Sequence, residues 1–156
     1  MKKIIFVILG IFVSCGIHAQ DVIAKGDNVI SGGVGAGQGF PIAELSYEYC
    51  MVDNIFGDNN GAYGLGAYTC YNEHNDHKNL TLGCKEYLHY QFVDDLDTYG
   101  TLMLGLKLPV DRSFSHTRFQ GSIGVGARYY FSPGVAWYGE VGYGVCNLSV
   151  GVSFKF

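Results

Sequence analysis

The sequence predicts an all-β protein: an eight-stranded antiparallel up-and-down transmembrane β-barrel with a side-chain-filled interior. Three observations predict it. From residue 29 to the end, apolar and polar residues alternate with period two almost without a break, which is the signature of strands. The alternating runs average about ten residues, long for a soluble sandwich but suited to a tilted crossing of a bilayer. Aromatic residues on the apolar faces gather near one set of strand ends, where an interfacial girdle belongs.

The first stretch stands apart. Met1-Lys2-Lys3 is a basic start, Ile4 to Val13 is almost unbroken apolar sequence, and small or polar residues lead to Ala19-Gln20. This is the layout of a secretory signal peptide over residues 1–19, with Ile17-His18-Ala19 offering a cut after Ala19. Val13-Ser14-Cys15 also resembles a lipoprotein site faintly, with Cys15 then acylated, although Phe12 is a poor start for one. The mature chain, 20–156, reads as one barrel domain.

Composition agrees with export and with strands. Loss of Lys2 and Lys3 lowers the basic count from 10 to 8 against 14 acidic residues, a net of −6. A nucleic-acid partner would need a basic face, so none is expected. No later apolar stretch reaches the length of a spanning helix. All 12 tyrosines lie beyond residue 20, glycine is abundant at 23 and proline scarce at 3, unlike a disordered chain.

Eight strands are read at 29–37, 42–52, 61–71, 79–92, 98–108, 118–131, 135–144 and 147–156, with turn-rich segments between them. In the second, Ala43, Leu45, Tyr47, Tyr49 and Met51 share one face and Glu44, Ser46, Glu48 and Cys50 the other. The last does the same, with Leu148, Val150, Val152, Phe154 and Phe156 on its apolar face. Alternation alone also suits a soluble sandwich, in which the outer faces would be polar. The expected inner girdle comprises Tyr49, Tyr63, Tyr90, Tyr99, Tyr129 and Trp137, with Phe92, Phe131, Phe154 and Phe156. Tyr71, Phe119 and Tyr143 mark the outer rim more sparsely.

The chain's last residues carry the most specific motif. Ser149-Val150-Gly151-Val152-Ser153-Phe154-Lys155-Phe156 resembles the C-terminal assembly signal of bacterial outer-membrane barrels, through Ser149, Gly151, Phe154 and Phe156. Glu44 to Tyr49, Leu96 to Gly100, Gly126 to Phe131 and Glu140 to Gly144 are similar to landmarks of small barrels of the OmpA/OmpX-like group from Bacteroidetes-type bacteria. The Ala19-Gln20 junction is similar to that lineage's export junctions. The resemblance covers essentially the whole mature chain. It implies a bacterial outer-membrane address, surrounding outer-membrane lipids and lipopolysaccharide, and the barrel assembly machinery as partner during biogenesis. It implies no ligand or activity, and an extracellular partner stays unidentified.

An eight-stranded barrel is just wide enough for side chains to fill it, so inward charges need partners. Placing alternate residues inward collects Glu44, Glu48, Lys85, Arg128 and Glu140. Arg128 is expected to pair with Glu140 on the next strand, and Glu48 or Glu44 with Lys85 across the lumen. A static network follows from the need to pair buried charge; a gate passing small ions is the alternative. Glu86 shares a face with Leu80, Leu82, Leu88 and Tyr90, so it faces lipid unless a bulge between Cys84 and Tyr87 swaps the register.

Three other features have chemical potential and a simpler reading. Glu73-His74-Asn75-Asp76-His77 has metal-ligand residue types in a solvated loop, without the spacing of a closed site. Cys50, Cys70, Cys84 and Cys146 permit disulfides, but Cys70 and Cys84 are placed on paired strands in poor geometry for one, so free, packed thiols are expected. Ser113, Ser115, His116 and His89 could feed a lipid-modifying Ser/His site, yet nothing enforces the required contacts. Gly33-Val34-Gly35 and Gly124-Val125-Gly126 read as strand glycines easing curvature, not phosphate loops. No cofactor, metal or catalytic residue is therefore assigned. The leading function is a non-enzymatic outer-membrane barrel, structural or binding a partner or small ligand at its extracellular rim.

Overall fold

The computed structural model describes residues 23–57, 60–74, 77–110 and 116–156. The predicted signal peptide and Cys15 lie outside them. Eight strands follow one another: β1 (Asn28–Gly37), β2 (Ile42–Asp53), β3 (Gly61–His74), β4 (His77–Val93), β5 (Leu96–Pro109), β6 (Arg118–Ser132), β7 (Val135–Tyr143) and β8 (Cys146–Lys155). Each pairs antiparallel with its neighbour in sequence, and β1 pairs with β8, so the sheet closes into the expected barrel with no free edge.

Alternation explains the closure. Leu102, Leu104 and Leu106 of β5 point outward, each more than 40% exposed, while Thr101 and Met103 of the alternate positions are buried. The same parity runs around the wall, from Leu45 and Tyr47 on β2 to Val141 on β7 and Val150 on β8. An apolar outer surface on every strand is the arrangement of a barrel whose solvent is hydrocarbon, the opposite of a sandwich's polar outer faces.

Register shifts are confined to strand ends, at Ala36/Gly37, Cys50/Val52, Gln91/Val93 and Tyr130/Ser132. The ladder runs unbroken through Cys84 to Tyr87. The bulge alternative for Glu86 therefore fails, and Glu86 points outward. At the turn between β6 and β7, Gly134 adopts φ +79°, a left-handed conformation that glycine takes without steric cost.

The wall is uneven. Strands β3 to β6 have 14 to 17 residues, whereas β1, β2, β7 and β8 have 9 to 12. The segment read as a loop at 72–79 is mostly strand, with His74 and His77 as Cα partners beside the hairpin. Tyr71, Phe119 and Tyr143 are exposed toward the strand ends away from the chain termini. Tyr49, Tyr129 and Trp137 are exposed near the strand ends closest to the chain termini, and Phe131 packs on Trp137.

Tyr99 corrects the expected girdle. It is 5% exposed and faces the lumen, because the outward leucines of β5 place every odd position of that strand inside. Its ring fits because Gly126 opposes it across the β5–β6 ladder. A Cβ at Gly126 would lie 2.5 Å from the Tyr99 ring. The inward glycines thus make room for large interior side chains, in addition to easing curvature.

Away from the chain termini the lumen mixes apolar residues with buried Asn72, Thr81 and Ser149. Ile42, Tyr68, Cys70, Met103 and Val145 form a buried cluster there, with Cys146 packed against it. The four mature cysteines are free. Cys70 lies opposite Thr81 and Cys84 opposite Ala67, so these two are three rungs apart, and they face opposite sides of the wall. Cys84 is exposed on the outside, a departure from the expectation that all four thiols would be packed.

Candidate functional site

The buried half of the lumen nearest the chain ends holds four ionisable side chains from four strands. Glu48 comes from β2, His89 from β4, Asp97 from β5 and Arg128 from β6, and none is more than 2% exposed. Arg128 Nη2 donates to Glu48 Oε2 at 2.7 Å and Nη1 to Asp97 Oδ2 at 3.3 Å. His89 closes the circle, with Nε2 at 2.6 Å from Glu48 Oε1 and Nδ1 at 2.8 Å from Asp97 Oδ1.

Each carboxylate thus spends one oxygen on the histidine and the other on the arginine. An imidazole satisfies two carboxylate acceptors at once only by donating from both nitrogens, and it is then a cation. The ring holds two cations and two anions, and its charge cancels without solvent. Tyr99 and Tyr87 pack beside this arrangement, edge to face with each other, with their ring centres 5.8 Å apart. The Arg128 guanidinium lies 4.5 Å from the Tyr99 ring centre and 5.3 Å from that of Tyr87, within cation–π range.

The position matters as much as the pairing. In an eight-stranded barrel β2 and β6 stand on opposite sides, so the Arg128–Glu48 bond is a strut across the lumen. A second strut lies farther out. Lys85 Nζ is 2.8 Å from both Glu140 oxygens, joining β4 to β7, and Thr101 Oγ1 donates to Glu140 Oε1 at 3.3 Å. Glu44 accepts from Tyr138 at 2.7 Å and from Tyr68 at 3.0 Å. At the β1–β8 seam the Ser31 and Ser153 hydroxyls meet at 2.7 Å.

Glu48, Lys85 and Arg128 are buried and Glu44 and Glu140 half-buried, and two expected pairings are corrected. Arg128 does not pair with Glu140. The register sets Tyr138 opposite Arg128 and Glu140 opposite Gly126, two rungs away, and Arg128 turns inward to Glu48 and Asp97. Lys85 takes Glu140, not Glu44 or Glu48. Asp97 and His89 were absent from the expected network, although a signal for both exists. The leucines of β5 set Asp97 inward, and Leu80, Leu82 and Leu88 of β4 do the same for His89.

The arrangement suits support better than acid–base chemistry. Both His89 nitrogens are occupied by carboxylates, so it cannot take a proton from a nucleophile without breaking the ring. His116 is exposed just before β6, at the opposite end of the barrel. Ser113 and Ser115 lie outside the described residues, as do Asn75 and Asp76 of the histidine-containing hairpin. Among the described residues, no group of three or more His, Cys, Asp or Glu side chains is placed to hold a metal ion.

No protein-family model matches the chain, and no curated protein matches it either. Solved structures do. A de novo designed transmembrane β-barrel is 18% identical, with a TM-score of 0.57 over 86% of this chain and 98% of that one. The N-terminal β-barrel domain of Pseudomonas aeruginosa OprF is 17% identical, with a TM-score of 0.62 over 86% of this chain and all of that one. Ail, the attachment invasion locus protein of Yersinia pestis, is 15% identical, with a TM-score of 0.49 over 85% and 99%. The fold is that of small transmembrane β-barrels.

Proposed function

We propose that the chain is a non-enzymatic integral protein of the bacterial outer membrane, exported by a signal peptide cleaved after Ala19, with a lumen closed by its own side chains. It serves as a structural barrel that offers its extracellular rim to a partner or small ligand. The carrying observation is the Glu48–His89–Asp97–Arg128 ring, whose strut crosses the lumen between opposite strands while the outside of the same wall is apolar. A buried pair in this geometry resists opening, because separating it leaves uncompensated charge at a cost of about 3–5 kcal/mol.

The likeness to the OprF barrel domain and to a designed transmembrane barrel supports a membrane address, and the Ser149–Phe156 ending fits recognition by the outer-membrane assembly machinery. The short landmarks fit a place in the OmpA/OmpX-like group of Bacteroidetes-type bacteria. Outer-membrane phospholipid and lipopolysaccharide would then surround the wall.

Fractionation of cells and heating of the detergent-extracted protein before electrophoresis test the address. Recovery in the outer membrane with heat-modifiable mobility is expected, and recovery in the soluble periplasm without it would refute the reading. For the non-enzymatic assignment, lipid mass spectrometry of a deletion strain should give an unchanged acyl pattern. A change restored by the wild-type chain but not by a His116→Ala variant would overturn it.

A further inference from the structure

On the outward face of β4, Glu86 stands between Leu65 of β3 and Leu102 of β5, its direct neighbours across the two ladders. It is exposed, and among the described residues it has no hydrogen-bond or ion-pair partner. The described lysines and arginines lie elsewhere: Lys85 and Arg128 are tied up in the lumen, and the rest stand at strand ends or beyond them. The wall offers this carboxyl no complement, although placing it against hydrocarbon carries a cost, smaller than for a cation.

Two neighbouring features bear on what covers it. Beside Glu86 the wall is concave, with a groove of about 700 Å³ bordered by Tyr63, Leu88, Leu102, Val125 and Tyr143. The groove exists because Gly100 has no side chain; a Cβ there would meet nothing within 4 Å. Two residues before Glu86 on the same face lies Cys84, the exposed one among the four described thiols.

We propose that this face is the interface of a homodimer in the membrane. The proposal rests on the reading of the barrel as membrane-spanning. Two copies inserted in the same direction are related by a two-fold axis along the membrane normal, so a residue near the axis meets its own copy at the same depth. Glu86 then faces Glu86 of the second copy, which places the two carboxyls within reach of one hydrogen bond across the axis. Self-pairing is the complementarity available to an acid with no cation beside it among the described residues. The notch at Gly100 lets the two convex walls close in far enough for that contact, and it brings the two Cys84 side chains near the same axis.

The test uses the full mature chain in phosphatidylethanolamine/phosphatidylglycerol vesicles, oxidised with copper phenanthroline over a series of lipid dilutions. Two Cys84 thiols lose two protons, and two electrons pass to the copper oxidant, as the Sγ–Sγ bond forms. A disulfide-linked dimer that persists on dilution and disappears in Cys84→Ser is expected. Glu86→Leu should weaken dimerisation by about 5- to 30-fold, the range that fits one polar contact between membrane segments. Gly100→Leu, which fills the notch without touching the acid, should also reduce the dimer. Cross-linking that falls in proportion to dilution, or is unchanged in both variants, would overturn the proposal. Heat-modifiable mobility, read on the same samples, reports insertion independently, so a failure of the dimer is distinguishable from a failure of the membrane reading.

Discussion

Strand β4 presents Lys85, Tyr87 and His89 to the lumen and Cys84, Glu86 and Leu88 to the other side. Inside, the charge on Lys85 meets both oxygens of Glu140, and His89 bridges two carboxylates. Outside, one residue away, Glu86 has leucines opposite it on both neighbouring strands. A single strand therefore carries paired charges on one face and an unpaired carboxyl on the other, separated by the thickness of the sheet. The difference teaches that inward charges here are paired within this chain, whereas the outward carboxyl has no partner among the described residues of it.

Variants that break each side should differ in sign as well as size. Arg128→Met is expected to have the largest effect, because it strands the Glu48 and Asp97 carboxylates in the lumen. A loss of about 3–5 kcal/mol is predicted, measured from the urea midpoint of the chain refolded into lipid vesicles. The double variant Arg128→Met, Glu48→Met should lose less than the sum of the singles, since the two residues share one contact. Strict additivity would show that the strut carries no energy.

Gly126→Ala should come next. Its new Cβ would press on the Tyr99 ring, which itself backs Arg128, and overpacking of this kind costs about 1–3 kcal/mol. The same unfolding assay measures it, and an unchanged midpoint would mean that the interior is loosely filled. Glu86→Leu on the outer wall should give the smallest effect and the opposite sign. In detergent-dispersed monomer it should raise stability by less than about 2 kcal/mol, and a loss there would place Glu86 in an intramolecular contact.

The barrel was legible because alternation is a local signal repeated on every strand. Leu102, Leu104 and Leu106 announce the outer face of β5 from sequence alone, and Leu148, Val150 and Val152 do so for β8. The inward set followed for Glu44, Glu48, Lys85, Arg128 and Glu140. Pairing did not, because it depends on which rungs face one another. Sequence adjacency suggested Arg128 with Glu140, yet the register separates them by two rungs, and Arg128 reaches the opposite wall instead. Tyr99 was misplaced because aromatic character near a strand end outweighed the parity of its own strand. Gly126, the glycine that accommodates it, lies 27 positions later, where no local pattern connects the two.

Conductance across a planar bilayer tests the central claim most directly, that the lumen is closed by its own charges. With the Glu48–His89–Asp97–Arg128 ring and the Lys85–Glu140 strut intact, the purified wild-type chain should insert and pass no current at either polarity. Regular single-channel steps from the wild-type chain would contradict a closed lumen and show that the struts yield to ions.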